Sequence, residues 1–256
     1  MTNQAAQKQQ VRDLLKAIET GESGPLTVIH PNKYVQHNPR VKDSLAGFRE
    51  FLAQLPKGSA RVSTVRVFQD GDVVFAHSDY NIFGAKVAFD VFRFEGAKIV
   101  EHWDNIQAVP ANANPSGHTM TDGPTEPRDP EKTEANKRLV RSFVEDILNG
   151  RMEKLAGYYD GDKYTQHNPH IADGLSGLGA GLKAMAERGV TMKYESIRRV
   201  LGEGNFVLTV SEGQLGGTRV SFYDLFRVEN GKIAEHWDTI EEIPPKDQWR
   251  NDNGKF

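Results

Sequence analysis

The sequence contains no cysteine among its 256 residues. This absence excludes thiol catalysis, disulfide bonds and cysteine-ligated zinc, so histidine, aspartate and glutamate are left as candidates for metal binding or acid–base chemistry. No uninterrupted apolar run approaches the roughly 18 residues that a membrane helix needs, and the opening MTNQAAQKQQVR lacks the apolar core of a signal peptide. We therefore expect a soluble, cytoplasmic protein without a membrane partner.

A stripe of positive charge is also missing. The chain has 32 basic and 35 acidic residues, which give a net charge of -3. Because nucleic-acid binding relies on clustered lysine and arginine, this balance predicts no nucleic-acid partner. With 38% hydrophobic and 26% charged residues, 256 residues suffice for two modest globular domains.

The most informative feature is an internal repeat. Residues 33–39 (KYVQHNP) recur as residues 163–169 (KYTQHNP), and residues 90–110 match residues 224–244 at 12 of 21 positions. The spacing between copies is 130 residues for the first pair and 134 for the second (163 minus 33, and 224 minus 90). Such a spacing greatly exceeds the roughly 20–50 residues of a solenoid repeat. It predicts two duplicated domains.

The boundary between the copies is predicted from composition. Residues 111–132 are rich in proline, glycine and small polar residues, which favour an extended connector. We therefore predict a first domain at 1–121, a linker at 122–130 and a second domain at 131–256.

Within each copy, helical periodicity precedes alternation with a period of two. An opening helix is followed by a second helix at 44–55 in the first copy and at about 175–185 in the second. Strands are predicted at 61–68, 73–80, 87–94 and 98–106, and again at 193–201, 206–212, 220–228 and 232–240. Helices followed by an antiparallel meander indicate an α+β fold in which the helices cover one face of a curved sheet.

The motifs Tyr-x-Gln-His-Asn-Pro, Asp-x-Phe-Arg and Lys-Ile-x-Glu-His-Trp-Asp resemble the SnoaL-like family of the nuclear transport factor 2-like superfamily. The resemblance covers both halves almost end to end. It implies two tandem cone-shaped, cystatin-like domains, and a namesake that performs an intramolecular aldol ring closure in polyketide synthesis. The same cone hosts isomerases, epoxide hydrolases, dehydratases and non-catalytic binding modules, so the fold does not fix the function.

The turn that joins the last two strands of the second copy determines which residues share a face. A two-residue Asn-Gly turn places Asp224 opposite Trp237, whereas a three-residue Glu-Asn-Gly loop places Asp224 opposite His236 with Asp238 on the same face. We expect the three-residue loop. Steroid isomerases of the superfamily have a pocket aspartate in a similar strand, which implies that Asp90 and Asp224 point inward.

These positions suggest proton transfer next to a carbonyl group, which needs a base near neutral pKa and a donor to the oxyanion. The candidate catalytic residues are Asp90, His102 and Asp104 with their counterparts Asp224, His236 and Asp238. The candidate ligand-binding residues are Tyr34, His37, Asn38, His77, Phe92, Tyr164, His167, Asn168 and Phe226.

Each candidate also has a purely structural interpretation. A buried His/Asp pair satisfies polar groups in any core, and the Gln-His-Asn-Pro motif can lock a loop. A metal interpretation combines His37, His102 and Asp104, but their spacing is not that of a metal motif, and we predict no metal and no cofactor. Because His77 aligns with Ser211, we expect the first copy to be the better catalyst if His77 points into the cone.

The expected ligand is a small, largely hydrophobic carbonyl compound in the cone pocket. The enzyme hypothesis is a cyclase, lyase or isomerase that uses His/Asp acid–base chemistry. The alternatives are a non-catalytic binding protein and a dimer-like interaction module. Trp103 and Trp237 fall on the opposite sheet face, together with Arg93 and Arg227, which we expect to pair with Glu101 and Glu235. That apolar face predicts an intramolecular pseudo-dimer of the two halves.

Overall fold

The computed structural model describes residues 3–55, 58 and 60–256, so Met1, Thr2, Pro56, Lys57 and Ser59 lie outside the description. The chain divides into two compact units. Unit 1 comprises residues 1–108 and 243–256, and unit 2 comprises residues 109–242. The segment after the last strand of each sequence half therefore belongs to the other unit. The predicted domain limits divide the sequence repeat rather than the compact units, and they stay a prediction.

Among the described residues, each unit has two α-helices and a five-stranded sheet, which confirms the predicted α+β class. Unit 1 contains α1 (Asn3–Thr20), β1 (Val35–Gln36), α2 (Ser44–Gln54), β2 (Arg61–Asp70), β3 (Val73–Asn81), β4 (Ala85–Glu95) and β5 (Lys98–Ala108). Unit 2 contains α3 (Thr133–Leu148), β6 (Thr165–Gln166), α4 (Gly174–Glu187), β7 (Met192–Glu203), β8 (Phe206–Leu215), β9 (Thr218–Glu229) and β10 (Lys232–Glu242).

The strand orders are β1-β5-β4-β3-β2 in unit 1 and β6-β10-β9-β8-β7 in unit 2. Four strands of each sheet form the predicted antiparallel meander. The fifth strand, β1 or β6, runs parallel to β5 or β10. The sequence does not predict these two strands, because two residues are too few to show alternation.

The hydrophobic core of each unit lies between the helices and one face of the sheet. In unit 1, Leu14 and Leu15 of α1 pack in one cluster with Val74 and Phe92 of the sheet. Burial of this apolar surface holds the helix on the sheet, because roughly 25 cal/mol is gained per Å² removed from water. We call the helix-covered side the inner face. Among the described residues, no helix is long and apolar enough to cross a membrane.

The predicted hairpin of the second copy is wrong in its turn. Glu229 pairs with Lys232, so the turn contains only Asn230 and Gly231, which have φ values of 51° and 72°. Asn and Gly adopt these positive values at low cost. A bulge between Ile233 and Glu235 then shifts the register by one residue. The bulge therefore places Asp224, His236 and Asp238 on one face of the sheet, as we expected from a three-residue loop.

Candidate acid–base sites

The central feature of each inner face is a histidine that contacts an aspartate across two strands. In unit 1 the pairs Asp90–Asp104 and Phe92–His102 lie opposite each other on β4 and β5. His102 Nε2 is 3.1 Å from Asp90 Oδ1. In unit 2, His236 Nε2 is likewise 3.1 Å from Asp224 Oδ1. The structure thus brings each predicted Asp–His–Asp set together, and all six side chains are buried.

A glutamine fixes the protonation of the histidine ring. The backbone N–H of Asn38 donates to Gln36 Oε1 at 2.9 Å, so this oxygen is an acceptor. His102 Nδ1 lies 3.0 Å from the same oxygen and must therefore carry a proton to form a hydrogen bond. Gln36 Nε2 in turn donates to the Tyr34 hydroxyl at 3.1 Å.

The same relay recurs in unit 2. Gln166 Oε1 accepts from the Asn168 N–H at 2.9 Å and from His236 Nδ1 at 3.0 Å, and Gln166 Nε2 donates to the Tyr164 hydroxyl at 2.9 Å. Because Nδ1 holds one proton, the hydrogen bond between Nε2 and the aspartate needs one further proton. That proton lies on the histidine or on the carboxyl group, so the pair is arranged to exchange it.

The second carboxylate of each set is held by an asparagine. Asn38 Nδ2 donates to Asp104 Oδ2 at 2.6 Å, and Asn168 Nδ2 donates to Asp238 Oδ2 at 2.7 Å. The other oxygens differ between the units. Neither Asp104 Oδ1 nor Asp238 Oδ1 has a hydrogen-bond partner among the described residues, but the ammonium group of Lys255 lies 3.5 Å from Asp104 Oδ1 and forms an ion pair with it.

A tyrosine hydroxyl group contacts the aspartate that pairs with the histidine, which is Asp90 in unit 1 and Asp224 in unit 2. Tyr80 donates to Asp90 Oδ2 at 2.9 Å, and Tyr194 lies 3.1 Å from Asp224 Oδ2. Tyr80 is on β3 and Tyr194 is on β7, so the two hydroxyl groups come from different strand positions. Phe92 stacks on His102 and Phe226 on His236, with ring centroids 4.5 and 4.8 Å apart.

Burial shifts the acid–base equilibria of these groups. Loss of solvation raises the pKa of Asp90 and of Asp238, because burial disfavours a charged carboxylate. Burial by itself lowers the pKa of His236, but the hydrogen bond to Asp224 and the charges of Asp238 and Asp224 outweigh it and raise that pKa. Burial thus favours the protonated form of Asp90 and Asp238, and the neighbouring carboxylates favour the protonated form of His236.

The structure places His37 and His167 away from these sets. His37 stacks on Trp103 at 4.8 Å and contacts Glu101 Oε1 at 3.0 Å. His167 stacks on Trp237 at 4.6 Å and contacts Glu235 Oε1 at 2.9 Å. Residues 101, 103, 235 and 237 alternate with His102, Asp104, His236 and Asp238, so they lie on the outer face of each sheet. The expected pocket contacts of His37 and His167 are therefore wrong, and so is the metal set of His37 with His102 and Asp104.

The outer face carries the predicted cross-strand ion pairs. Arg93 Nε donates to Glu101 Oε2 at 2.7 Å, and Arg227 Nε donates to Glu235 Oε2 at 2.6 Å. These contacts confirm the expected pairs. Trp103 and Trp237 are 2% and 0% exposed, respectively.

The expectation for His77 is also wrong. His77 pairs with Phe89 across the strands and stacks on it at 4.2 Å, whereas its neighbour Ala76 pairs with Asp90. It therefore lies on the outer face. In unit 2, Val210 rather than Ser211 occupies the equivalent position, opposite Tyr223. The sequence alignment was displaced by one residue in this strand, and the asymmetry that favoured the first copy disappears.

Several residues of the two networks were missed at the sequence level. Gln36 and Gln166 stand within the repeated motif, which gave a signal that we assigned to loop locking. Tyr80 and Tyr194 do not align with each other, and Lys255 follows the last strand, so neither repeat nor periodicity marks them. Only the three-dimensional structure brings these three residues to the carboxylates.

Metal-binding geometry is present at three places in the described part of the chain. Each Asp–His–Asp set offers three ligand atoms within 4.8 Å of one another, and so do His118, Asp122 and His167 of unit 2. The predicted absence of a metal stays a prediction. A separate surface cavity of about 330 Å³ in unit 1, lined by Asp13, Thr27 and Lys98 among others, includes none of the predicted site residues.

The geometry defines a class: an α+β unit with a buried set of aspartate and histidine side chains on the helix-covered face of a five-stranded sheet. The family model of the SnoaL-like domain matches residues 140–236, which run from α3 into β10. The resemblance predicted from the sequence is therefore confirmed for residues 140–236, which match the SnoaL-like domain. No protein of curated function matches the sequence.

Solved structures with similar folds cover less than half of the chain. TsrD from Streptomyces laurentii is 21% identical with a TM-score of 0.36, and the match covers 40% of this chain and 89% of TsrD. An LEH-like epoxide hydrolase of M. tuberculosis is 23% identical with a TM-score of 0.33, covering 43% and 85%. An NTF-2-like protein of unknown function from Burkholderia xenovorans is 11% identical with a TM-score of 0.40, covering 45% and 92%.

Proposed function

We propose that each unit binds a small, largely hydrophobic carbonyl compound on its inner face and transfers a proton within it, without a cofactor. The observation that carries this proposal is the histidine whose Nδ1 proton is fixed by Gln36 or Gln166 and whose Nε2 shares one proton with Asp90 or Asp224. Aldol condensation and isomerisation both begin with removal of a proton next to a carbonyl group, and a positioned base accelerates that step.

The residues have separate roles in this proposal. The His102–Asp90 pair takes up the substrate proton and returns it. Tyr80 donates its one hydroxyl proton to Asp90 Oδ2 in the structure, and in this proposal it transfers that hydrogen bond to the substrate oxygen on which negative charge develops. Asp104 holds Asn38 and thereby the loop that carries Gln36. Tyr34 and Phe92 line the site. The counterparts His236, Asp224, Tyr194, Asp238, Asn168, Tyr164 and Phe226 act in the same way in unit 2.

A non-catalytic binding protein is the second candidate. It is favoured by the burial of every polar group of the two sets, since His102 is 6% and His236 is 9% exposed. A buried network of this kind also stabilises a core without turnover. The repeat of the motifs supports tandem duplication, and a sheet-to-sheet pseudo-dimer of the two halves remains part of the proposal.

Exchange of substrate protons for deuterium tests catalysis without knowledge of the product. Aryl ketones such as 1-indanone and 2-tetralone are incubated in D₂O with the full chain, and loss of the α-proton signal is followed by NMR. Because each unit has a site, the comparison is the double variant His102→Ala/His236→Ala. We expect the double variant to exchange roughly 10²–10⁴-fold more slowly.

Two controls separate catalysis from binding. The double variant His37→Gln/His167→Gln changes histidines of the outer face and should keep its exchange rate within about threefold. Ligand binding by the wild-type chain, with exchange no faster than in the inner-face double variant, would leave the binding protein as the function.

A further inference from the structure

The two acid–base sites differ in one charge. In unit 1, Lys255 is 2% exposed and its ammonium group lies 3.5 Å from Asp104 Oδ1. In unit 2, the described residues bring no lysine or arginine within 4 Å of Asp238, which is 6% exposed. Residues 109–121, which form the beginning of unit 2, contain no lysine or arginine. Asp238 thus lacks the buried ammonium group that Asp104 has, and the positive groups that act on it are the imidazoles of His236 and His170.

Two polar atoms of unit 2 lie without partners beside this site. Asp238 Oδ1 has no hydrogen bond among the described residues, and neither has Thr209 Oγ1, although Thr209 is 0% exposed. Thr209 lies opposite Asp224 on β8 and β9, and Asp224 lies opposite Asp238 on β9 and β10. The three residues therefore form one cross-strand row on the inner face. In the matching row of unit 1, Ala76 takes the place of Thr209.

Unpaired buried polar atoms are rare in folded proteins, because each one loses its hydration without gaining a partner. The cost is greater for a carboxylate than for a hydroxyl group. We propose that unit 2 binds a ligand with a protonated amine, whose N–H groups donate to Asp238 Oδ1 while a polar neighbour of the amine meets Thr209 Oγ1. In unit 1 the ammonium group of Lys255 already fills this role.

The other oxygen and nitrogen atoms of the Asp224–His236–Asp238 set already have hydrogen-bond partners, which favours an amine over a metal ion as the ligand. Both oxygens of Asp224 contact His236 or Tyr194, both ring nitrogens of His236 are engaged, and Asp238 Oδ2 accepts from Asn168. A metal would have to displace several of these contacts, whereas an ammonium group needs only the one unpaired oxygen. Phe226 stacks on His236 and the Tyr194 hydroxyl contacts Asp224, and aromatic rings also attract cations.

This inference is independent of catalysis, because amine binding needs no proton transfer. The test uses the full chain and benzylamine, with benzyl alcohol as a neutral ligand of the same shape, in isothermal titration calorimetry. We expect one benzylamine per chain and much weaker binding of benzyl alcohol. Asp238→Asn should lower the affinity for benzylamine by at least about tenfold, and Thr209→Val should lower the affinity for 2-amino-2-phenylethanol, which adds a hydroxyl group, more than that for benzylamine.

The matched variant in unit 1 provides a gain of binding. Lys255→Met removes the ammonium group beside Asp104, and we expect it to raise the stoichiometry from one benzylamine to two. Far-UV circular dichroism establishes that each variant is folded. Equal affinity of the wild-type chain and Asp238→Asn for benzylamine would overturn the proposal. Stoichiometric Zn²⁺ or Mn²⁺ that depends on Asp238 and excludes the amine would overturn it in favour of a metal site.

Discussion

Tyr194 lies directly opposite Gly213 on the neighbouring strand of unit 2. The equivalent cross-strand pair of unit 1 is Val62 and Tyr80, so the tyrosine has changed strands between the two copies. A Cβ atom on Gly213 would lie 2.0 Å from the backbone oxygen of Lys193, so the partner of Tyr194 has room only for glycine. Both tyrosines nevertheless reach the equivalent aspartate. Duplication alone would keep the tyrosine at the same strand position in both copies. Here the position of the tyrosine differs between the copies, but the contact between its hydroxyl group and the aspartate is kept.

This difference between the copies predicts that the tyrosine of unit 1 can be moved from position 80 on β3 to the opposite position 62 on β2. Tyr80→Gly should lower the free energy of unfolding by about 3–5 kcal/mol, because it removes a buried ring and a hydrogen bond to Asp90. Adding Val62→Tyr should recover at least half of that loss, as measured by urea denaturation. The control Val62→Phe with Tyr80→Gly refills the volume without the hydroxyl group. Recovery of ketone exchange by the phenylalanine variant would contradict a role for the hydroxyl.

The fold could be predicted almost entirely from periodicity, but only part of the site could. Alternation located eight strands, and the repeated Asp-x-Phe-Arg and Glu-His-Trp-Asp motifs located both Asp–His–Asp sets. The turn at Asn230 and Gly231 was mispredicted because a bulge, which leaves no sequence signal here, restores the same face. His77 was assigned to the wrong face because a one-residue displacement in alignment reverses a strand. Lys255 was missed because a segment without periodicity carries it into unit 1.

The charge difference between the units predicts opposite effects of the same substitution. Asp104→Asn removes the negative charge beside the buried ammonium group of Lys255 and should lower the stability of the chain at neutral pH. Asp238→Asn should raise it, because burial raises the pKa of Asp238 and the ionised carboxylate is disfavoured in the folded state.

The pH dependence of Asp238→Asn gives a second check of this prediction. An ordinary aspartate titrates near pH about 3.9, so the gain should be absent below that pH and should grow as the pH rises through the raised pKa. Thermal unfolding from pH 4 to pH 8 measures it. A gain that is largest in acid would have the wrong sign for this explanation.

The glutamates of the outer face predict a graded loss of stability. Glu235 lies between Arg227 Nε and His167 Nε2 at 2.6 and 2.9 Å, and its side chain is 5% exposed. Glu101 makes the equivalent contacts in unit 1, but its side chain is 20% exposed. Glu235→Gln should therefore cost about 3–5 kcal/mol, as expected for breaking a buried pair, and Glu101→Gln should cost less. Equal losses in guanidinium denaturation would show that burial does not set the strength of these pairs.

The segment of unit 2 that precedes α3 contains a pH-dependent contact. His118 Nε2 lies 3.0 Å from Asp173 Oδ2, and Nδ1 lies 3.5 Å from Asp122. Partial burial opposes protonation, but the hydrogen bonds and charges of Asp173 and Asp122 prevail and raise the pKa of His118. Its stabilisation is therefore complete below the unfolded pKa of about 6.5 and is lost as the pH rises through the raised value. Thermal unfolding between pH 6 and pH 9 should show this decline in the wild-type chain and a flatter profile in His118→Gln.

Residues 243–256 belong to unit 1, and Asn251 in this segment holds the loop beside the acid–base site of that unit. Asn251 Nδ2 donates to the carbonyl oxygens of Asn38 and Val41 at 2.8 and 2.9 Å, four residues before Lys255. Asn251→Ala removes both hydrogen bonds and leaves buried carbonyl groups unpaired, which should cost about 1–3 kcal/mol.

We expect the same substitution to shift the ¹⁵N resonances of the His102 ring, because Lys255 and the loop of Gln36 lose their anchor. Asn114 is the matched control, since its Nδ2 donates to Gln166, Asn168 and Ile171 of unit 2 at 3.1, 2.6 and 2.7 Å. Asn114→Ala should shift the His236 ring and leave the His102 ring unchanged. Equal shifts of both rings in either variant would show that the segments do not act on separate sites.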